Sequence, residues 1–266
     1  MRFGVLTLQL TPWTALVEGW RHLEELGIET IWVADHLAPG ESTWFEAWSC
    51  ITALAHETST PRIGPLVSPM TFRNPAVLAR TALTVAELSG GRLELGVGSG
   101  ASKADHELAE VPEWAPKERA SLFVTWLERL VELLADERLQ PQRPVPLTVA
   151  GHGPTILGLA SRFADRWNAF GGFGLSAEDG VAKCRRDNER LDELCAETGR
   201  KVLRSALVGY PFVAETPFRS EDAWHDFVGR WEEAGFEELV LYYPWNWRMP
   251  EGSVEPGLPE RMLSNR

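Results

Sequence analysis

The feature that most constrains the fold of this chain is the regular alternation of short apolar segments with amphipathic ones. Eight apolar segments are predicted as strands, at residues 3–8, 30–34, 62–67, 92–97, 147–150, 167–170, 203–213 and 238–243. Segments with helical spacing follow them almost from end to end. Because the strands are mostly continuous apolar runs, the pattern predicts a parallel sheet covered by helices. Eight such units close a TIM barrel, and an open doubly wound sheet is the alternative that the pattern leaves open.

Length and local signals indicate a single domain over residues 1–266. Single α/β barrels commonly occupy about 250 residues, and no linker or change of composition divides this sequence. Asn74-Pro75 is typical of a helix start, and so is Ser176, which has Asp179 three residues later. A longer polar connection from Ser99 to Pro116 precedes a strongly amphipathic helix.

The charge balance restricts the partners of the chain. It carries 26 Lys and Arg residues against 38 Asp and Glu residues, a net charge of −12. This charge repels phosphate backbones and anionic lipid head groups, so we expect neither nucleic acid nor a membrane surface as a partner. The three cysteines form no C-x-x-C pair, and the sequence has neither a membrane-spanning apolar stretch nor a signal-peptide pattern. We therefore expect a cytoplasmic protein with buried thiols.

No pattern in the sequence is typical of a metal centre or of an activated nucleophile. The six histidines are scattered without an H-E-x-x-H motif, and there is no G-x-S-x-G motif. The glycines at residues 96–100 form G-x-G-x-G after the fourth predicted strand, which is a weak dinucleotide fingerprint. We therefore expect an organic cofactor and no metal.

Ligands of a parallel barrel bind at the C-terminal ends of its strands, which directs attention to the residues that follow each strand. Asp35-His36 ends the second strand, so His36 is an acid–base candidate; the alternative is a structural histidine beside a loop-capping Asp35. Gly151-His152-Gly153 lies between the fifth strand and a helix. This segment fits either phosphate binding or an ordinary tight turn.

The twelve tryptophans divide into two groups. Trp20, Trp126, Trp224 and Trp231 lie at helical core spacing, which predicts packing. Others follow strands or lie in loops, and they are candidates for lining a substrate pocket, with plain packing as the alternative. These candidates are Trp13, Trp44, Trp245 and Trp247.

Five segments of the chain together resemble the bacterial luciferase-like, flavin-dependent oxidoreductases, in the order in which that family has them. They are residues 31–37 (IWVADHL), 73–79 (RNPAVLA), 88–100 (LSGGRLELGVGSG), 149–154 (VAGHGP) and 164–168 (ADRWN). The resemblance implies a TIM barrel that binds FMN or coenzyme F420 at its C-terminal mouth. It also implies hydride transfer at the cofactor ring and assembly into homodimers.

The resemblance implies roles for individual residues as well. His36 is the catalytic residue, close to the reacting ring, and Asp35 holds its tautomer. A bulge with a non-prolyl cis peptide in the third strand backs the ring. Cofactor contacts are implied for Pro65, Leu66, Val67, Ser68, Gly98 and Ser99 around the ring, and for Gly151, His152 and Gly153 at the phosphate.

Two features depart from the family pattern. Ala101 stands where F420-using relatives often have an acidic residue, and the connection between the fourth and fifth strands is shorter than usual. The mouth is then more open, or a partner chain covers it. We predict an F420-dependent oxidoreductase acting on a small organic molecule, because the second strand ends in Ala-Asp-His. An FMN-dependent monooxygenase and a non-catalytic flavin-binding companion subunit are the alternatives.

Overall fold

The strands form one parallel β-barrel. The computed structural model describes residues 1–9, 12–37, 44–171, 174–208, 215–246 and 248–264. Their strands are β1 (Arg2–Thr7), β2 (Thr30–Val33), β3 (Arg62–Pro65), β4 (Ser68–Pro69), β5 (Leu95–Gly98), β6 (Leu147–Ala150), β7 (Arg166–Phe170), β8 (Leu203–Leu207) and β9 (Glu238–Tyr243). All neighbours pair in parallel, in the order β3-β2-β1-β9-β8-β7-β6-β5-β4.

The third strand of the barrel is divided into two parts, β3 and β4. β3 pairs with β2, whereas β4 pairs with β5. Ile63 of β3 also bridges in parallel to Leu93, just before β5, so the sheet closes on itself. A cis peptide bond joins Leu66 to Val67 between the two parts, where a cis peptide is expected. The nine segments thus make eight barrel strands, which confirms the TIM barrel and excludes the open sheet.

Helices follow the strands and cover the outside of the barrel. They are α1 (Trp13–Glu25), α2 (Ala47–Glu57), α3 (Pro75–Leu88), α4 (Lys103–Leu108), α5 (Pro116–Leu134), α6 (Pro154–Phe163), α7 (Ala177–Thr198), α8 (Glu221–Glu233) and α9 (Leu258–Ser264). As predicted, the side chain of Asn74 caps α3 and that of Ser176 caps α7.

The polar connection predicted from Ser99 to Pro116 contains a short helix, α4. The seventh predicted strand, residues 203–213, corresponds to β8, which ends at Leu207, and the backbone N–H of Val208 still donates to Val240 of β9. Residues 209–213 of that prediction lie outside the described residues.

Most of the core lies between the barrel and the surrounding helices. Its largest fully buried side chains include Trp20, Trp167, Trp231, Phe123 and Phe227. Trp224 is also buried, so three of the four helical tryptophans pack in the core as predicted. The fourth, Trp126, is half-buried: it packs against the same core, stacked on Phe123, and donates its indole N–H to the carbonyl oxygen of Arg73.

The three cysteines are buried and form no disulfide, as expected. Burial raises the pKa of the Cys50 and Cys184 thiols to about 12. Both thiols are therefore protonated and unreactive at neutral pH. Among the described helices, none combines the length and the apolar composition needed to cross a bilayer.

The interior of the barrel is charged at its N-terminal end. Arg166, at the start of β7, contacts two buried carboxylates: Glu94, at 2.5 Å from its Nε, and Glu238. Arg62 donates to the other oxygen of Glu94 over 3.0 Å. This charged layer, which consists of Arg62, Glu94, Arg166 and Glu238, was not predicted from the sequence. It seals the end of the barrel opposite to the mouth with paired charges.

Candidate functional site

A cavity of about 280 Å³ opens at the C-terminal end of the barrel. It is lined by Asp35, His36, Leu66, Val67, Pro69, Gly98, Ser99, Gly100, Ala101, Asp105, Ala150, Gly151, Asn168, Phe170 and Leu207. A wider hollow of about 620 Å³ lies at the opposite end, around Arg2 and Leu203 at the starts of strands. Because parallel barrels bind ligands at the C-terminal ends of their strands, the smaller cavity is the candidate site.

The cavity brings together about half of the residues that the sequence analysis singled out. The predicted residues in its lining are Asp35, His36, Leu66, Val67, Gly98, Ser99 and Gly151. The other described candidates, which lie outside this lining, are Pro65, Ser68, His152, Gly153, Trp13, Trp44 and Trp245. Trp247 lies outside the described residues.

His36 presents a half-exposed imidazole to the cavity. Its Nδ1 lies 2.7 Å from Oδ2 of Asp105, whose side chain is only 4% exposed. Because an ionised carboxylate only accepts hydrogen bonds, Nδ1 carries a proton and donates it to Asp105. Among the described residues, Nε2 of His36 has no hydrogen-bond partner. The imidazole therefore has its second nitrogen available for proton exchange with a ligand.

Asp35 does not hold the tautomer of His36, contrary to the expectation. Its carboxylate instead accepts two hydrogen bonds from Arg73, at 2.9 and 2.6 Å, and one from Ser68 at 2.7 Å. Arg73 also donates to Glu46. Burial lowers the pKa of Arg73, but the hydrogen bonds and negative charges of Asp35 and Glu46 raise it above its usual value. Asp35 thus joins the end of β2 to the start of α3.

The divided third strand forms one wall of the cavity. The side chains of Leu66 and Val67, on either side of the cis peptide, line it. Ser68 lies behind them, buried, and accepts a hydrogen bond from the indole N–H of Trp48 at 3.0 Å. Pro65 is buried below the wall. Pro65 and Ser68 therefore shape the wall from behind.

The glycines after β5 allow the backbone to approach this wall closely. A Cβ atom on Gly98 would lie 2.7 Å from Cγ2 of Val67. Gly100 has a φ of +70°, and a Cβ there would lie 2.0 Å from Oγ1 of Thr71. Only glycine avoids these contacts, so no side chain covers the backbone at residues 98 and 100.

The loop between β6 and α6 keeps the start of that helix open. No side chain caps α6, whose N-cap residue, Gly153, has a φ of +88°. Backbone N–H groups of an uncapped first turn are suited to a phosphate. The side chain of His152 lies outside the cavity lining: its Nδ1 lies 2.6 Å from Asp187, and its Nε2 lies against the backbone N–H and carbonyl groups of Phe170.

The His152 contact also affects the ionisation of Asp187. Partial burial raises the pKa of Asp187, but the hydrogen bond from His152 and the positive charges of His152 and Lys183 lower it below the usual value. Asp187 is therefore ionised at neutral pH. It fixes the loop that carries the open end of α6.

The four candidate pocket tryptophans do not form one pocket. Trp44 lies beside the site, with its ring centroid 6.5 Å from that of His36. Trp13 is exposed and packs edge-on against Trp20 and Phe45. Trp245 is buried against Phe218 and Tyr243 and lines a separate outer hollow. Only Trp44, of those described, is close to the candidate acid–base residue.

Asp105 and Arg73 are the important residues that sequence reasoning missed. Ser102 accepts from the backbone N–H of Asp105 and caps α4. The Ser-x-x-Asp pattern of residues 102–105 is a helix-start signal that could have revealed this helix and its acidic residue. The described residues contain no group of three His, Cys, Asp or Glu side chains placed to hold a metal ion.

Comparison of the sequence with known proteins gives consistent matches. The family model for luciferase-like monooxygenases matches residues 1–251. An F420-dependent glucose-6-phosphate dehydrogenase of Amycolatopsis mediterranei is 35% identical over 186 residues, covering 60% of this chain and 54% of that protein. Another, from Kribbella flavida, is 30% identical over 214 residues, covering 67% and 62% respectively. The chain thus spans between half and two thirds of the length of these relatives.

Solved structures share the fold at low sequence identity. An F420-dependent secondary alcohol dehydrogenase in complex with an F420-acetone adduct has a TM-score of 0.78 at 16% identity, covering 100% of this chain and 99% of that one. The coenzyme F420-dependent tetrahydromethanopterin reductase of Methanopyrus kandleri has a TM-score of 0.70 at 17% identity, covering 91% and 93%. An FMN complex of the 3,6-diketocamphane monooxygenase component from Pseudomonas putida has a TM-score of 0.63 at 15% identity, covering 78% and 66%.

Proposed function

Because the chain belongs to the luciferase-like monooxygenase family, we propose that it is an oxidoreductase that uses coenzyme F420. It transfers a hydride between this deazaflavin and a small organic substrate at the mouth of the barrel. The F420-dependent curated relatives support the cofactor assignment. The three buried, free cysteines are compatible with the reducing cytoplasm that we propose as its location.

The observation that carries the proposal is the imidazole of His36 at the cavity, with Nδ1 bound to Asp105 and Nε2 available. The surrounding walls suit a flat ring, because Leu66, Val67 and Ala150 are apolar and Gly98 has no side chain. A deazaflavin bound there supplies the carbon that takes up or releases hydride. His36 accepts a proton from the substrate at Nε2, or returns it in the reverse direction.

The open start of α6 is the proposed site for the phosphate of the cofactor. Gly151, which lines the cavity, has a φ of +130° and leads the chain from the cavity into this turn. Lys183 lies near the same loop, with its Nζ 3.7 Å from Asp187. Uncapped N–H groups and the helix dipole favour a negative group at this point, whereas the charge of Lys183 is paired with Asp187. His152 supports the loop from behind and does not contact the cofactor.

FMN-dependent monooxygenation is the second candidate function. It is favoured by the shared fold of the FMN-bound monooxygenase and by a cavity whose glycine and apolar walls suit either flavin ring. The two candidates differ in the cofactor that the protein binds and in its use of oxygen. Binding therefore separates them before any substrate is known.

The test is titration of the purified protein with F420 and with FMN, followed by fluorescence, and then turnover of a panel of alcohols and carbonyl compounds. We expect F420 to bind more tightly than FMN. His36→Ala should lower kcat by about 10²–10⁴-fold, whereas His56→Ala, on the exposed side of α2, should leave it unchanged. Tight binding of FMN with no binding of F420 contradicts the proposal. Binding without any turnover would favour the companion subunit.

A further inference from the structure

Asp105 connects two parts of the chain that meet at the cavity. Its Oδ2 accepts from Nδ1 of His36 at 2.7 Å, and its Oδ1 accepts from the backbone N–H of Leu37 at 2.8 Å. The carboxylate is buried, whereas the imidazole that it holds is 47% exposed. One side chain on α4 thus fixes both the ring of His36 and the backbone that follows it.

The surroundings of α4 hold Asp105 in place from two sides. Ser102 caps the helix through the backbone N–H of Asp105. On the next residue, Nδ1 of His106 lies 2.6 Å from the carbonyl oxygen of Pro112, and its ring packs against Trp114 with 5.3 Å between centroids. His106 is buried, so α4 is anchored to the segment that leads into α5. The position of the carboxylate is therefore determined by packed structure.

We propose that Asp105 is the positioning residue of this site, which sets the tautomer and the orientation of His36. A carboxylate at Nδ1 keeps that nitrogen protonated, so Nε2 is the nitrogen that accepts a proton at the cavity. Ala101, directly after Gly100, brings no charge to the cavity, and Asp105 on α4 supplies the carboxylate instead. This proposal depends on the proposed function only for the effect that it predicts on turnover.

The chemistry of the two bonds makes the assignment testable by a nearly isosteric change. Asp105 accepts from two donors at once, one on each oxygen. An asparagine has one acceptor oxygen and one NH₂ group, so it cannot accept from both Nδ1–H and the Leu37 N–H. In Asp105→Asn the amide must either lose one bond or donate to Nδ1, and donation moves the proton of His36 to Nε2. Asp105→Glu keeps two acceptor oxygens.

The tautomer is measured without any cofactor, by NMR of protein labelled with ¹⁵N in histidine. The His36 signals are identified by their disappearance in His36→Gln. We expect the neutral ring to carry its proton on Nδ1 in the wild type and in Asp105→Glu, and on Nε2 in at least half of the Asp105→Asn molecules. Glu107→Gln, an exposed acid on the same helix, is the matched control and should give the wild-type spectrum. A wild-type ring protonated on Nε2 overturns the proposal.

Turnover gives a second, independent readout. We expect Asp105→Asn to lower kcat about 100-fold, to change the dissociation constant of F420 less than threefold, and to have no further effect in a His36→Gln background. Asp105→Glu should recover part of the activity. An equal loss in the His36→Gln background shows that Asp105 acts apart from His36 and overturns the proposal. If the wild type shows no F420-dependent turnover, the proposed function fails, and the NMR measurement still decides the role of Asp105.

Discussion

Replacing Arg73 by methionine tests how the region around His36 is held together. Arg73 donates two hydrogen bonds to Asp35, whose side chain is 1% exposed, and one to Glu46, whose side chain is 49% exposed. Methionine fills a similar volume without charge. Arg73→Met therefore leaves Asp35 as a buried carboxylate with one remaining donor, the hydroxyl of Ser68.

The expected loss follows from this geometry. Removing one partner of a buried ion pair costs about 3–5 kcal/mol, because the other charge remains buried and uncompensated. Because Ser68 still donates to Asp35 and Arg73 is partly exposed, we expect a loss of stability at the lower end of this range, about 3 kcal/mol. The bond to exposed Glu46 adds less than about 1 kcal/mol. For a chain of this size the loss corresponds to a decrease in Tm of about 5–7 °C.

The assay is urea unfolding at pH 7, with Arg21→Met as the matched control. Arg21 forms an exposed pair with Glu57, so its replacement should cost less than about 1 kcal/mol. Adding Asp35→Asn to Arg73→Met removes the uncompensated charge and should recover at least about 1 kcal/mol. A loss below about 1 kcal/mol for Arg73→Met, or a double variant less stable than the single one, refutes the reasoning.

Two further predictions concern the loop before α6 and the divided strand. The pKa of Asp187 is lowered in the folded protein. Its ionised carboxylate therefore stabilises the fold at any pH above the ordinary pKa of an aspartate, and this stabilisation is lost as the pH falls through the lowered pKa. Asp187→Asn, which removes the bond to His152, should therefore cost about 1–2 kcal/mol at pH 7 and progressively less below about pH 4, measured by unfolding at both pH values. Gly96→Ala places a Cβ 2.1 Å from the carbonyl oxygen of Pro65 and should cost at least about 2 kcal/mol in thermal unfolding. Gly158→Ala, which meets no atom within 4 Å in α6, should instead be neutral or stabilising; an equal loss in both glycine variants contradicts the steric argument.

The barrel could be predicted from the sequence because its signals are local. Continuous apolar runs identify buried parallel strands, and the capping side chains of Asn74 and Ser176 mark helix starts without reference to the rest of the fold. The third strand was predicted as one run over residues 62–67, whereas β3 ends at Pro65 and β4 begins at Ser68. A run of residues shows apolar character but does not show where pairing ends.

The site could be predicted only in part because its contacts join distant parts of the chain. Asp35 and His36 are adjacent, but successive residues of an extended segment point to opposite sides, so the two side chains find different partners. Those partners, Arg73 and Asp105, are 38 and 69 residues away from them respectively. Trp245 follows a strand, as a pocket residue would. Its burial in the core depends on tertiary contacts, which the sequence does not show.

The charged layer lies at the end of the barrel where substitutions are costly, and the candidate site lies at the other end, where substitutions are better tolerated. Arg166 and its two carboxylates close the N-terminal end, on the side opposite to Ala101 and Leu207 at the mouth. Substitutions at the mouth leave these buried pairs intact, so ligand preference can diverge there while the barrel keeps its stability. A library for directed evolution should therefore diversify Ala101 and Leu207 and leave Arg166 unchanged.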